Sequence, residues 1–175
     1  MALKRGTVKL ESNYEKWHDE YIHEATFLKE KLKDYILEIE HVGSTSIKGL
    51  IAKPIIDILI VINSFDDIPK IENILKDYGY LNHGPQGVAD REFFTKGSEE
   101  ARTHHIHFTT PKSDTYYDLK YFKKYLIEHP KYIEEYNSLK RKLASIYAND
   151  RPKYTAGKHE FISNIITLAK EKYHD

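Results

Sequence analysis

Apolar positions recur with two different periods along this chain, and the switch between them divides it. Tyr14, Trp17, Tyr21, Ala25, Leu28 and Leu32 recur at helical spacing behind Ser12 and Glu15, which have the form of a capping box. Together they predict a helix over 14–35. Residues 37–42 then alternate, Leu37, Ile39 and His41 against Glu38, Glu40 and Val42, which is the period of a strand. Residues 54–62 form a near-continuous run of β-branched and apolar side chains interrupted by Asp57, the pattern of a central strand covered on both faces. Ile68, Ile71, Leu75 and Tyr78 predict a helix over 66–78, with Gly79 as its terminator. Short strands are expected at 91–96 and 103–109, after a mobile loop over 82–90 that carries Gly84, Pro85 and Gly87.

From Asp114 onward the period is helical: Leu119, Phe122 and Leu126; past Pro130, Tyr132, Tyr136, Leu139, Leu143 and Ile146; then Phe161, Ile165 and Leu168. Thr155 reads as the N-cap of the last helix, which sets Lys158 in its first turn. A cation there opposes the helix dipole, so a ligand or an ion pair has to offset it. Strands in the first two thirds followed by helices predict an α+β fold, a sheet with helices packed on one side and a C-terminal helical segment. With no repeat and no Pro/Gly/Ser-rich linker, 175 residues read as a single domain over 1–175.

Composition narrows the class. Hydrophobic residues make up 40% of the chain and charged residues 31%, the balance of a globular protein. No apolar run approaches the roughly 20 residues of a bilayer span, and residues 1–14 lack the apolar stretch of a signal peptide. The expected location is the cytoplasm, with no membrane partner. Cysteine is absent, which removes disulfides, thiolate nucleophiles and thiolate metal sites, so any metal would be held by His, Asp or Glu. Basic and acidic side chains number 27 each, and this neutral balance carries no electrostatic footprint for nucleic acid. The charge is uneven, however: residues 111–175 hold 13 basic and 9 acidic side chains, against 14 and 18 before them. A basic C-terminal wall facing a more acidic strand region suits a phosphorylated ligand, while solvated helix faces account for the same excess without one. Nothing here sets the oligomeric state.

Three segments carry chemistry. Residues 41–46, His-Val-Gly-Ser-Thr-Ser, leave a strand through a tight turn whose N–H groups and hydroxyls suit phosphate oxygens. Asp57 lies inside an apolar strand, where an ionised carboxylate must be paired, hydrogen-bonded or metal-bound. Lys53, Arg91 or a backbone amide would satisfy it structurally; a metal or a proton-transfer partner would do so functionally. On the strand Thr103-His-His-Ile-His-Phe108, His105 and His107 share one face, two imidazoles spaced to grip a metal or to act as acid and base. His104 shares the other face with Ile106 and Phe108 and reads as structural. Lys53, Arg91, Lys140 and Lys158 come from four different elements, and only the fold can bring them together.

The string 41–61, with Arg-Glu-Phe-Phe-Thr-Lys at 91–96, Thr-His-His-Ile-His at 103–107, the stretch 122–130, Tyr-Asn-Ser-Leu-Lys at 136–140, and 154–158 followed by Phe161 and Ile162, resembles the signature of the GrpB family in the nucleotidyltransferase-fold superfamily. The resemblance spans nearly the whole chain and implies a nucleotidyltransferase-like mixed sheet. In that superfamily a Gly-Ser turn holds the nucleotide triphosphate. Two acids with one residue between them on the next strand bind two divalent metals, with a third acid from a later strand. Gly43 and Ser44 match the turn and Asp57 the first acid, but Leu59 stands at the second acidic position and the third falls on His105 or His107. The resemblance therefore implies Asp57, His105 and His107 as catalytic and metal-ligating residues for Mg, Mn or Zn. It implies Gly43, Ser44, Thr45, Ser46, Lys53, Arg91, Lys140, Tyr154 and Lys158 as contacts to a nucleotide or other small phosphorylated ligand. Two-metal phosphoryl transfer needs more carboxylate than Asp57 alone supplies. Three functions follow: nucleotidyl transfer with one metal, a pocket that binds a nucleotide or coenzyme-A-related ligand without catalysis, or a hydrolase that activates water on a His/His/Asp metal.

Overall fold

In the computed structural model, which describes residues 7–174, the chain runs α1 (Tyr14–Lys31), β1 (Ile36–Val42), β2 (Ile56–Ile62), α2 (Ile68–Leu75), β3 (Tyr80–Asn82), β4 (Glu92–Ser98), β5 (Ala101–Thr109), α3 (Asp114–Glu128), α4 (Lys131–Ile146) and α5 (Arg151–Tyr173). The strands form one mixed sheet in the order β1-β2-β5-β4-β3. β2 and β5 run parallel at its centre and every other pair is antiparallel. No helix among the described residues is long and apolar enough to cross a membrane.

The apolar run of β2 is explained by what covers each side. Ile56, Ile58, Ile60 and Ile62 join Ile106, Phe108 and Phe94 on one face, beneath Trp17 and Leu28 of α1, Leu32 just past its end, and Ile68, Ile71 and Leu75 of α2. Leu59 and Val61 face the other way and pack with Val42 under Tyr116 and Leu119 of α3. The α+β class holds, but the helices do not all lie on one side, because the second apolar face also needs a cover. A further cluster joins α3, α4 and α5 to Ile47 and Leu50, so the C-terminal helices pack against the segment between β1 and β2. Asn137 fastens that segment: its side chain accepts from Ile51 N at 2.9 Å and donates to Gly49 O at 2.8 Å.

Several local expectations shift. The first helix ends at Lys31 rather than 35, and Asn13 rather than Ser12 precedes it, making no side-chain capping bond. Leu37 is 52% exposed, although its alternation with Ile39 and His41 puts all three on one face. The pairing of β1 with β2 slips between Ile36 and Glu38, and such a bulge reverses the side on which a residue lies. The helix over 66–78 is α2 flanked by 3-10 turns, with Gly79 left-handed at its end. β3 was not expected; three residues are too few for a period. The 82–90 loop is tied at its ends, where His83 N donates to Phe93 O and Phe93 N to Gly84 O, both at 2.8 Å. The last helix starts at Arg151 under an Asp150 cap, so Thr155 is no cap and Lys158 sits two turns inside.

One charged side chain ties α1 to the sheet. Glu24 falls on the apolar stripe between Tyr21 and Leu28 and is buried. It accepts a hydrogen bond from Tyr80 and, at 2.8 and 2.9 Å, two contacts from Lys96 Nζ. His104 faces this group, its Nε2 3.8 Å from Glu24, with its pKa lowered by burial to about 4.

Candidate functional site

On the face of the sheet away from α1, the parallel register sets Asp57 beside His105 and Leu59 beside His107. The Asp57 carboxylate lies between imidazoles: Oδ1 is 3.0 Å from His107 Nε2 and 3.6 Å from His105 Nδ1. Arg91 Nη1 stands 3.5 Å from His107 Nδ1. A guanidinium only donates, so His107 Nδ1 accepts and its Nε2–H is turned to Asp57. Burial alone would raise the Asp57 pKa, but the His105 imidazole beside it and the Nε2–H that His107 donates to it override burial and hold the carboxyl well below the usual carboxylate range. The side chain is still 27% exposed, through a cavity on that side.

The turn after β1 abuts this carboxylate. Gly43 has φ +73°, and a Cβ built on it would lie 2.7 Å from Asp57 Oδ2. Only glycine allows the turn to press so closely. Ser46 Oγ donates to Gly43 O at 2.5 Å, and Ser46 N and Ile47 N close the turn onto Gly43 O and Ser44 O. Thr45 Oγ1 pairs with His41 Nε2 at 2.8 Å. His41 stacks on Tyr21 and is kept neutral by burial, its pKa lowered to about 4.

A cavity of about 280 Å³ opens beside the turn, lined by Ser44, Lys53, Asp57, His105 and residues of α4 and α5. From α4 comes Lys140, 1% exposed, whose Nζ donates to Ser44 Oγ at 2.6 Å and Ile51 O at 2.7 Å above the Tyr136 ring. From α5 come Arg151, Tyr154, Thr155 and Lys158, a spacing of three, four and seven that sets them on one helix face. The Tyr154 ring carries both Lys53 Nζ at 5.4 Å and Lys158 Nζ at 4.7 Å. Four cationic side chains thus line a cavity that holds one carboxylate.

Burial, before the neighbouring cations, depresses the lysines. Burial, then Lys158 and Arg151, lowers the Lys53 pKa to about 7. Burial lowers Lys158 to about 8, against the pull of Asp57 and with Arg151 adding to the fall. Burial, then Lys158 and Lys53, sets Lys140 well below its ordinary value. A buried ammonium short of counter-charge is relieved by an anionic ligand.

Of the residues expected from sequence, Ser44, Thr45, Lys53, Asp57, His105, Lys140, Tyr154 and Lys158 line this cavity. Gly43 and Ser46 shape the turn behind it, and His107 stands behind Asp57. Arg91 does not join them. Its guanidinium lies over Phe93 and reaches the carbonyls of Pro85 and Gln86. Arg151, which sequence reading passed over, takes the fourth cationic place. Asp150 followed by Pro152 was the available signal for a helix starting there.

Asp57, His105 and His107, the residues expected to hold Mg, Mn or Zn, contact one another directly. Among the described residues no group of three or more His, Asp or Glu side chains is placed to hold a metal ion. Asp57 Oδ1 already faces both imidazoles and Oδ2 backs onto Gly43. Leu59, at the second acidic position, is sealed in an apolar cluster with Val42 and Val61.

Comparison with known proteins follows the same outline. A family model described as "GrpB protein" matches residues 7–168. "Glutamate-rich protein GrpB" of Alkalihalophilus pseudofirmus is 33% identical over 170 residues, 95% of this chain and 98% of the relative. "UPF0157 protein YqkA" of Bacillus subtilis is 36% identical over 156 residues, 89% of this chain but only 45% of that protein's length. The crystal structure of GrpB from Enterococcus faecalis superposes with a TM-score of 0.89 at 32% identity, covering 95% of this chain and all of that one. The Cid1 poly(U) polymerase superposes with a TM-score of 0.50 at 11% identity, over 78% of this chain and 43% of the polymerase, a likeness of fold alone.

Proposed function

This chain belongs to the GrpB family and has a nucleotidyltransferase-like fold; from that premise we propose that it binds a small phosphorylated ligand, a nucleotide or a coenzyme-A-related phosphate, in the cavity between the Gly43-Ser44 turn and α5. The observation that carries the reading is the lysine cluster. Lys53, Lys140 and Lys158 converge with Arg151 around a space with a single carboxylate. Phosphate oxygens would meet these donors and the Ser44 hydroxyl, favouring the protonated form of amines whose pKa burial has lowered. Binding is favoured over nucleotidyl transfer because the one carboxylate is committed to His105 and His107 and the second acidic position is Leu59.

The pH dependence of binding tests this. The competent lysines are protonated, and in the free protein they lose their protons near pH 7 and pH 8 for Lys53 and Lys158. Affinity for inorganic pyrophosphate should therefore fall on the order of tenfold or more between pH 7 and pH 9.5. The ligand itself gains negative charge over that range, so lysines of ordinary basicity would give constant or rising affinity. Isothermal titration calorimetry across the range distinguishes the two, and no binding at pH 7 would defeat the reading.

A further inference from the structure

We propose that the cavity takes its phosphorylated ligand in the free, uncomplexed form, with side-chain cations standing where metal-dependent phosphoryl sites hold divalent ions, so that Mg²⁺ competes with the protein for the ligand. The inference rests on the anion-binding reading above and concerns the state of the ligand that the cavity admits.

A phosphate chain carried in by Mg²⁺ brings a dication that needs oxygen ligands from the protein. This cavity offers it few. Asp57 is the one carboxylate on its wall, and its Oδ1 lies 3.0 Å from His107 Nε2 and 3.6 Å from His105 Nδ1. Oδ2 lies against Gly43, near enough that a Cβ there would come within 2.7 Å. The neighbouring strand position that faces the same side is Leu59, 0% exposed.

The charges around that carboxylate point the same way. Lys53 and Lys158 both stand over the Tyr154 ring, Lys140 lies against Ser44, and Arg151 completes the wall. A Mg²⁺ complex has already lost two of the negative charges that these side chains would meet, and its dication would enter a region of like charge. The free polyphosphate keeps its full charge and needs no metal to neutralise it, since the ammonium groups do so. Ligand discrimination here is a difference between two forms of one molecule, one attracted by the cations and the other partly repelled.

The experiment uses the wild-type chain, so folding of a variant does not enter. Pyrophosphate is titrated calorimetrically at pH 7, first with EDTA and then with rising Mg²⁺ at constant ionic strength. Apparent affinity should fall at least tenfold as Mg²⁺ converts the ligand to its complex, and affinity calculated for free pyrophosphate should stay constant. Equal or tighter binding with Mg²⁺ overturns this inference and leaves the anion-binding reading standing. Absence of binding in EDTA and in Mg²⁺ alike overturns both. In a parallel NMR titration, Mn²⁺ alone should leave the His105 and His107 ring resonances unbroadened; selective broadening of those rings would place a metal at Asp57 and contradict the proposal.

Discussion

Gly43→Ala should destabilise the fold by about 3 kcal/mol and abolish detectable pyrophosphate binding. Gly43 adopts φ +73° and ψ −173°, a region open essentially to glycine alone, where another residue costs about 1–3 kcal/mol. The methyl would also lie 2.7 Å from Asp57 Oδ2 and 3.1 Å from its Cβ and Cγ, so either the turn or the carboxylate must move. Moving the carboxylate breaks its contacts to His105 and His107; moving the turn displaces Ser44 from Lys140. Urea unfolding and pyrophosphate titration check the two halves of the prediction. Wild-type values in both would mean that the turn does not need its present backbone.

Lys140→Met should weaken pyrophosphate binding tenfold to a hundredfold and flatten the pH dependence of stability. A hydrogen bond from a charged donor contributes about 1.5–3 kcal/mol, which sets that range. The stability effect follows from linkage. Lys140 keeps its proton in the unfolded chain at neutral pH and holds it less firmly once folded, because burial and then Lys158 and Lys53 lower its pKa. Between the folded pKa and the unfolded value the unfolded chain binds more protons, so wild-type stability rises with pH and approaches a plateau near the ordinary lysine pKa. Methionine fills a similar volume with no proton to lose, which removes that share of the rise. Unfolding free energies at pH 7 and pH 10 check it, and an unchanged difference between them would mean that Lys140 is not depressed.

The sequence made the strand chemistry readable because a strand has a period of two. Asp57 in an apolar run and the separation of His105 and His107 from His104 follow from alternation alone, and the structure keeps both. Glu24 was visible in the same way, as a carboxylate on the apolar stripe of α1, yet its partners Tyr80 and Lys96 are more than 50 residues away and no local pattern names them. The cationic wall was harder. Lys53, Lys140 and Lys158 meet only because α4 and α5 fold back over the turn, a tertiary fact that spacing cannot carry. Arg151 was hidden by placing the helix start at Thr155; from the Asp150 cap, Arg151, Tyr154, Thr155 and Lys158 fall on one face. Arg91 was named with these lysines without any spacing to place it, and in the structure its guanidinium lies over Phe93 and holds His107 from behind.

The most direct test of the anion pocket is to follow the side-chain amines of Lys53, Lys140 and Lys158 by NMR through a pH titration, with and without inorganic pyrophosphate. The predicted result is that all three titrate well below an ordinary lysine in the free protein and move to higher pH when pyrophosphate is bound. Three amines that titrate like surface lysines, or that do not respond to pyrophosphate, would contradict it.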